Sequence, residues 1–453
     1  MSRQGRAVRI GCGSAYSEDR MDLAVDMTDR GDIQYLCMDG LAERTLALAH
    51  QKRDPATGRG TYDTRLPDMA SDLLPLAVER GVKIVCNLGA ANPAAAGQYL
   101  QNAAWELGLH GVKVAVIEGD DVAKYVAEVD PIVLETGKPV SQLPGPVVAA
   151  NAYIGAEALV DALRLGATVI VGGRIADPSL FVAPIAHELG WDLRDWNRIG
   201  AATVVGHLLE CGVHVTGGNF ADPPYRVVDS WERLSHPLAE VHDDGSALVA
   251  KLPDTDGLLS VETCKMQLGY EIGDPSAYMT PDVVADFRNV TLSSVADGVE
   301  VAGGAGREWP ETLKALVAID EGFIGEGQVS FAGPGAVSRA RLGRDIVQGW
   351  VKPLVESGRV SELKLDLMGL DSMFGPASVS TPEPNEVHLR VAGRCKDRRD
   401  AERVADACWQ LQVFGPAAVG GHRKLIKPVV GMYTFFLPRG AVKTTATLAK
   451  GEA

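Results

Sequence analysis

The residues whose types and spacing best suit chemistry lie just after short apolar runs in the first half of the chain. The sharpest pair is Arg174 and Asp177, in the segment Gly172-Gly173-Arg174-Ile175-Ala176-Asp177. An arginine fork binds a carboxylate or phosphate through two parallel hydrogen bonds, and a nearby carboxyl group can move a proton. We therefore predict that Arg174 holds the anionic part of a small molecule and that Asp177 is a general acid or base. The alternatives are a structural ion pair for Arg174 and a helix N-cap for Asp177, just before Pro178.

Further small or polar residues follow other apolar runs, where strands are expected to end. They are Cys12, Gly13, Asn87, Gly89, Asn92, Glu118 and Asn151. Ligands of open α/β sheets bind outside the carboxyl ends of the strands, so these residues are expected to meet at one crevice. We predict Glu118 as a second proton-transfer residue and the others as substrate contacts. Turn geometry explains any one of these loops equally well. The prediction therefore depends on whether all of these residues come together at one crevice.

Two later segments are predicted to complete the crevice. Thr216-Gly217-Gly218-Asn219 resembles a backbone nest that binds an anion, with a plain turn as the alternative. Lys251 precedes the loop Asp254-Thr255-Asp256-Gly257, whose closure is expected to bring the ammonium group to an acyl or phosphate oxygen. A solvated lysine is the alternative. Weaker candidates for a general base or a magnesium site are the acids Glu271, Asp274, Asp282 and Asp286, together with Tyr270 and Tyr278. Helix caps and turns explain these residues at least as well.

Several standard catalytic templates are absent from the sequence. It contains no P-loop, no HExxH and no G-x-S-x-G, which disfavours phosphoryl transfer from ATP and the standard serine hydrolases. His207, Cys211 and His214 have a spacing suited to zinc, but Gly212 is expected to end the helix, so we assign no metal ligand. The segment Gly11-Cys12-Gly13 lacks the third glycine of a dinucleotide fingerprint. A nicotinamide or flavin is therefore disfavoured, and the cofactor stays unassigned.

The elements that position these residues alternate between strand and helix. Apolar, β-branched runs separated by amphipathic stretches occupy residues 7–10, 33–38, 82–86, 112–117, 147–150 and 167–171. Such alternation predicts right-handed crossovers between parallel strands, with helices on both faces of the sheet. We therefore predict an α/β fold whose N-terminal half is a doubly wound, mostly parallel, Rossmann-like sheet.

The character of the sequence changes after residue 225. Alternating apolar runs and helical stretches follow one another at residues 312–319, 327–331, 336–357 (helical), 362–368, 386–392 and 398–412 (helical). That order predicts an α+β domain with a mostly antiparallel sheet. The resulting division is a Rossmann-like domain at 1–222, a connecting segment rich in Pro, Gly and Asp at 223–306, and the α+β domain at 307–453.

Composition narrows the class of partner and the compartment. The 453 residues carry a formal net charge of −15, which disfavours nucleic acid and anionic membranes as partners. None of the seven cysteines forms a CxxC pair, a pattern typical of reduced cytosolic thiols. The most apolar stretch, residues 146–173, contains Glu157, Asp161 and Arg164, so it is not expected to cross a membrane. We expect a cytoplasmic chain that forms a homo-oligomer.

Several segments together resemble the acyclic terpene utilisation AtuA family. They are Gly172 through Asp177, His187-Glu188-Leu189-Gly190-Trp191, Glu210-Cys211, Thr216-Gly217-Gly218-Asn219-Phe220, Tyr270 through Pro275 and Tyr278 through Val283. The likeness runs over nearly the whole chain, and the segments match in order, which makes it specific. One departure is Asp254-Thr255-Asp256-Gly257, where relatives tend to have a Gly-rich run after the lysine.

The resemblance implies a place in bacterial catabolism of acyclic terpenes through branched acyl-CoA intermediates. Together with the polar strand ends, it favours a catabolic enzyme that acts on a small branched carboxylic acid or acyl-CoA, most simply a hydratase, lyase or isomerase. Many relatives carry a small ferredoxin-like module, fused or as a separate chain, so a small ferredoxin-like partner is expected. Two alternatives stay open: a non-catalytic ligand-binding or assembly subunit of an acyl-CoA pathway complex, and a dinucleotide-dependent oxidoreductase.

Overall fold

The computed structural model describes residues 6–52, 60–378 and 382–451. The strands in these residues are, in chain order, β1 (Ala7–Ala15), β2 (Tyr35–Asp39), β3 (Lys83–Cys86), β4 (Val114–Glu118), β5 (Val147–Ala152), β6 (Val169–Gly172), β7 (Pro237–His242), β8 (Ala247–Lys251), β9 (Tyr278–Met279), β10 (Val284–Asp286), β11 (Thr291–Val295), β12 (Gly298–Ala302), β13 (Ala305–Arg307), β14 (Thr312–Ala332), β15 (Val360–Met368), β16 (Glu386–Cys395), β17 (Val419–Pro438) and β18 (Thr445–Leu448).

The α-helices of the described residues are α1 (Met21–Arg30), α2 (Glu43–Gln51), α3 (Leu66–Asp68), α4 (Leu74–Arg80), α5 (Pro93–Glu106), α6 (Ala123–Val129), α7 (Glu157–Arg164), α8 (Ser179–Leu189), α9 (Trp196–Glu210), α10 (Val261–Leu268), α11 (Ala336–Glu356) and α12 (Arg398–Phe414). A π-helical turn, Met69–Leu73, joins α3 to α4. None of these helices has the length and apolarity that a bilayer span requires.

The largest sheet of the described residues is mixed, with the order β11-β12-β8-β7-β1-β2-β3-β6-β4-β18. The strands from β1 to β4 in that order pair in parallel. The strands from β11 to β7 on one side, and β18 on the other, pair antiparallel. The predicted α/β class is therefore confirmed, but the mostly parallel sheet is corrected to a mixed one, because later segments add antiparallel strands at both edges. The Rossmann-like strand arrangement is not confirmed.

Helices cover both faces of the parallel strands. In β2, the buried side chains of Leu36 and Met38 belong to a core that includes α1, α4 and α5. The alternate side chains of Tyr35 and Cys37 belong to a second core that includes α7, α8 and α9. Successive side chains of a strand point to opposite faces, so a strand buried on both faces must be apolar throughout. This explains the continuous apolar runs in the sequence.

Gly11 and Gly13, which follow the first apolar run of the sequence, lie inside β1. They do not form a loop after that strand. A Cβ atom on Gly11 would come 2.7 Å from Met27 Cγ, and one on Gly13 would come 2.8 Å from Met38 Cγ. Side chains from α1 and β2 thus pack directly over the backbone of the strand. The expectation that Cys12 and Gly13 follow the strand is wrong, because these glycines serve packing within the sheet.

Two other strand predictions are also corrected. β5 was expected in the parallel sheet, but it pairs with β14. The predicted strands at 312–319 and 327–331 are parts of the single strand β14. Apolar periodicity identifies a strand but does not specify the neighbour with which it pairs.

The chain divides into two compact units. Unit 1 comprises residues 1–141, 148–317 and 432–453, and unit 2 comprises residues 142–147 and 318–431. In unit 2, β16 pairs antiparallel with β14 and with β15, and α11 and α12 pack on this sheet, as the α+β prediction requires. The predicted boundaries at 222 and 306 both fall inside unit 1, where residues 223–306 contribute β7 and β8 to the large sheet.

Candidate active site

A cavity of about 700 Å³ lies in unit 1, at the carboxyl ends of β1, β2 and β6. This is the sheet edge at which the sequence predicts a ligand. Its apolar wall includes Leu41, Val213, Leu313 and Phe436. The charged lining residues are Asp19, Asp39, Glu43, Arg174, Asp177, Glu210, Glu271 and Lys314. Its size and mixed lining are typical of sites for small organic molecules.

Arg174 and Asp177 form an ion pair just after β6. The Arg174 side chain is 1% exposed, and its terminal nitrogens donate to the Asp177 carboxylate and to the carbonyls of Leu41 and Ile175. The guanidinium also lies 4.6 Å from the centre of the Tyr153 ring. Arg174 is thus engaged by groups of the protein itself and holds Asp177 at the cavity wall. Its contact with a substrate anion stays a prediction.

Asp177 does not cap a helix. α8 begins at Ser179, with Pro178 as the N-cap residue and no side-chain capping bond. Asp177 instead lines the cavity, with 38% of its side chain accessible. Burial raises the pKa of Asp177 well above its ordinary range; the Arg174 charge opposes this shift, and the acidic groups of Asp39 and Glu210 reinforce it. Asp177 therefore keeps its proton to a higher pH than an ordinary aspartic acid and is suited to donate it.

Glu210, the last residue of α9, places a second carboxyl group on the cavity wall. It is 7% exposed, and its Oε1 lies 2.8 Å from His207 Nδ1, one helical turn earlier. His207 Nε2 lies 2.9 Å from the carbonyl oxygen of Gln267 in α10. Burial raises the pKa of Glu210 by more than His207 lowers it. Burial lowers the pKa of His207, but Glu210, with smaller contributions from the Gln267 carbonyl and Glu271, raises it overall.

The hydrogen bonds determine how many protons the His207–Glu210 pair holds. A backbone carbonyl only accepts, so His207 Nε2 must carry a hydrogen. The contact between Nδ1 and Oε1 then requires one more proton, carried by one of these two atoms. Glu210 Oε2 has no hydrogen-bond partner within the described residues. Oε2 is therefore the position at which this pair can accept a further proton.

Tyr153, Glu43 and Lys314 form a third polar group on the wall. The Tyr153 hydroxyl donates to Glu43, and Lys314 Nζ lies 3.4 Å from the Tyr153 oxygen and 3.7 Å from Glu43 Oε1. Burial alone would raise the pKa of Glu43, but the Tyr153 hydrogen bond and the charges of Arg174 and Lys314 lower it overall. Burial raises the pKa of Tyr153. Glu43 is thus a carboxylate beside a neutral phenol.

Two of the predicted amides are buried beside the cavity residues. Asn87 donates to Asp39 Oδ1 at 2.6 Å and accepts from the Gly40 amide at 2.8 Å. Asn151 donates to Asp120 Oδ2 at 2.9 Å, and the same oxygen accepts from the Arg174 backbone amide at 2.8 Å. These amides therefore orient the Asp39 and Arg174 loops. Within the described residues, neither amide belongs to the cavity wall.

Comparison with known proteins identifies the family to which this chain belongs. The model of a family described as "Acyclic terpene utilisation family protein AtuA" matches residues 8–448. The chain belongs to the AtuA family. No curated protein matches it significantly. A crystal structure of protein SO0527 from Shewanella oneidensis matches at 14% identity and a TM-score of 0.16, over 25% of this chain and 97% of that one. So weak a likeness carries no argument about fold or function.

In this AtuA-family chain, the structure does not bring three predicted groups to the cavity wall formed by the described residues. Glu118 is exposed at the end of β4, where it pairs with Thr445. Lys251 donates to the Thr255 carbonyl and lies 3.1 Å from its hydroxyl. The Thr216–Asn219 segment is a turn whose first carbonyl accepts from the Leu258 amide at 2.7 Å. The catalytic and binding roles predicted for these residues stay predictions.

The remaining predicted contacts of the AtuA-family chain have evident packing roles. Cys12 is fully buried, and burial raises the pKa of its thiol well above the ordinary value. A Cβ atom on Gly89 would come 2.6 Å from the Gly172 carbonyl. Asn92 is the N-cap residue of α5 and accepts from the Ala95 amide at 3.2 Å. Within the described residues, no group of three or more His, Cys, Asp or Glu side chains is arranged to hold a metal ion.

Sequence reasoning missed the chemical roles of several cavity residues in this AtuA-family chain. They are Glu43, Tyr153, Glu210 and Lys314. One signal for Glu210 was present, because the spacing of His207 and Glu210 places a histidine and a carboxyl group on the same face of a helix. The other three come from separate segments, so no local pattern joins them.

Proposed function

We propose that this AtuA-family protein is an enzyme that adds water to, or removes water from, a small branched carboxylic acid or its acyl-CoA ester. The observation that carries the proposal is the presence of two carboxyl groups on the wall of one cavity, the partly buried Asp177 and the buried Glu210. Reactions of this type need one group that donates a proton to carbon or to a leaving hydroxyl and one that accepts a proton from water.

The surroundings of the two carboxyl groups favour distinct roles. Asp177 has a pKa raised by burial, so it can enter the reaction protonated and act as the acid. Glu210 has an unpartnered Oε2, and the ring of His207, held by the Gln267 carbonyl, supports its other oxygen. Glu210 is therefore the group that accepts a proton from water during hydration and returns it during elimination.

The rest of the wall suits a branched apolar chain. Leu41, Val213, Leu313 and Phe436 contribute apolar surface, and the volume of about 700 Å³ accommodates a small organic molecule. The family assignment to acyclic terpene utilisation agrees with a branched substrate. The cavity thus combines proton-transfer groups with space for a methyl-branched chain.

The proposal is tested by turnover of the purified full-length chain. Branched unsaturated acids, their CoA esters and the corresponding hydroxy acids would be incubated in H₂¹⁸O, and products would be analysed by mass spectrometry. We expect incorporation of one ¹⁸O atom during hydration, or loss of water from a hydroxy substrate. Absence of either reaction across the panel, with folded protein, would contradict the proposal.

We expect Glu210→Gln to lower turnover by about 10²-fold or more, because the amide cannot accept the proton from water. The matched control is Glu106→Gln, at an exposed position of α5 outside the cavity wall of the described residues. The measurement is kcat with the substrate found in the ¹⁸O assay, and circular dichroism checks folding. Equal turnover of the two variants would exclude Glu210 as the base.

A further inference from the structure

Acidic residues outnumber basic residues on the described wall of the cavity. Among its described residues, the wall has one arginine, Arg174, and one lysine, Lys314. Its residues with a carboxyl group are Asp19, Asp39, Glu43, Asp177, Glu210 and Glu271. A wall with more acidic than basic groups stabilises positive charge that develops inside it and opposes negative charge.

The two cationic side chains do not reverse this balance. The terminal nitrogens of Arg174 donate to Asp177 and to two backbone carbonyls. Lys314 lies 3.7 Å from the Glu43 carboxylate. Both cations therefore have carboxyl partners within the protein, and even with Asp177 protonated the other carboxyl groups of the described wall outnumber the two cations.

The side chain of Glu210 gives a second indication of a ligand, independent of the number of acidic residues in the wall. Glu210 is 7% exposed and lines the cavity, yet its Oε2 has no partner within the described residues. Leaving a buried carboxyl oxygen without a hydrogen bond destabilises a folded protein. Such an atom in a cavity wall is suited to a water molecule or a substrate group.

Aromatic rings in the wall also favour positive charge. Tyr153 and Tyr278 line the cavity, and the Tyr153 ring has both Arg174 and Lys314 4.6 Å from its centre. The face of an aromatic ring carries negative charge and attracts cations. The two cations of the wall thus lie against one of its own rings, as this attraction requires.

We infer that the substrate is a branched acid or acyl-CoA ester whose reacting double bond is isolated and trisubstituted, so that its protonation gives a tertiary carbocation. This inference rests on the proposed function and specifies its substrate class. Addition to a double bond conjugated with a thioester would instead build negative charge on the carbonyl oxygen, which requires hydrogen-bond donors or cations aimed at that oxygen.

Addition of water to such an alkene needs no redox partner. The alkene π electrons form a C–H bond with the Asp177 carboxyl proton at the less substituted carbon, which leaves an Asp177 carboxylate and a tertiary cation. Water forms a C–O bond to the cationic carbon and gives a proton to Glu210 Oε2. The alkene and water become a tertiary alcohol, and a proton returns from Glu210 to Asp177 through solvent.

The test compares two otherwise identical branched acids, one ending in a dimethylammonium group and the other in an isopropyl group of the same shape. The ammonium group copies the position and charge of the tertiary cation. Isothermal titration calorimetry with the wild-type full-length chain is expected to show binding of the ammonium compound about tenfold tighter or more. Glu210→Gln is expected to reduce that preference, and Glu106→Gln to keep it.

The outcomes separate this inference from the proposed function. Tighter binding of the ammonium compound, together with ¹⁸O incorporation into an isolated trisubstituted alkene, supports it. Equal or weaker binding of the ammonium compound overturns it, even where a conjugated acyl substrate is hydrated and the proposed function stands. Hydration of neither alkene class overturns the proposed function and this inference with it.

Discussion

Replacement of Arg174 by methionine is expected to lower the free energy of unfolding by about 2–5 kcal/mol, because each buried polar group left without its hydrogen bond costs about 1–3 kcal/mol. The methionine fills much of the same volume but donates no hydrogen bonds. The buried carbonyls of Leu41 and Ile175 would lose their donor, and Asp177 would lose a hydrogen-bond donor. Urea unfolding followed by tryptophan fluorescence measures the change.

The matched control for this prediction is Arg164→Met in α7. Arg164 pairs with Asp161 at 2.9 Å, but their side chains are 68% and 57% exposed. An exposed ion pair of this kind contributes little, so a change within about 1 kcal/mol is expected. A loss for Arg174→Met as small as that of the control would show that the buried guanidinium does not hold the strand-end loops together.

Asp177→Asn is expected to reduce turnover by about 10²–10⁴-fold, because an amide cannot donate the proton that the proposed reaction needs. The neutral amide has nearly the shape of a protonated carboxyl group, so the folded structure is expected to persist. The measurement is kcat under saturating substrate, with circular dichroism as the check on folding. The control is Asp297→Asn, at an exposed turn between β11 and β12.

The raised pKa of Asp177 also predicts how rate and stability depend on pH. Turnover in the hydration direction is expected to fall as the pH rises through the raised pKa, because the acid loses its proton. The folded chain also binds more protons than the unfolded chain between the ordinary value of 3.8 and that raised pKa. The contribution of this group to stability is therefore full below pH 3.8 and is lost as the pH rises through the folded pKa.

The Asn variant separates these effects from those of other groups. It lacks a titrating group at position 177, so its unfolding free energy should fall less steeply over this pH window than that of the wild type. A wild-type pH profile reproduced by Asp177→Asn, in turnover or in stability, would contradict the assignment of Asp177 as the titrating acid.

The sequence by itself determined the local parts of this protein. Apolar runs such as 33–38 identified parallel strands, because a strand buried on both faces must be apolar at every position. The spacing of Arg174 and Asp177 just after such a run identified a pair that the structure places together, since three residues at a strand end cannot separate far. The order of strands and helices after residue 311 likewise identified the antiparallel sheet of unit 2.

Only the tertiary structure decided which strands are neighbours and which side chains share the cavity. β5 pairs with β14, and β18 joins β4, although neither partner is near in sequence. Glu43 meets Tyr153 and Lys314 from three separate elements, so their contacts depend on how those elements pack. The pKa of Asp177 depends in the same way on its burial and on the distant Glu210. Periodicity and spacing act over a few residues, whereas the charge and shape of this cavity come from long-range packing.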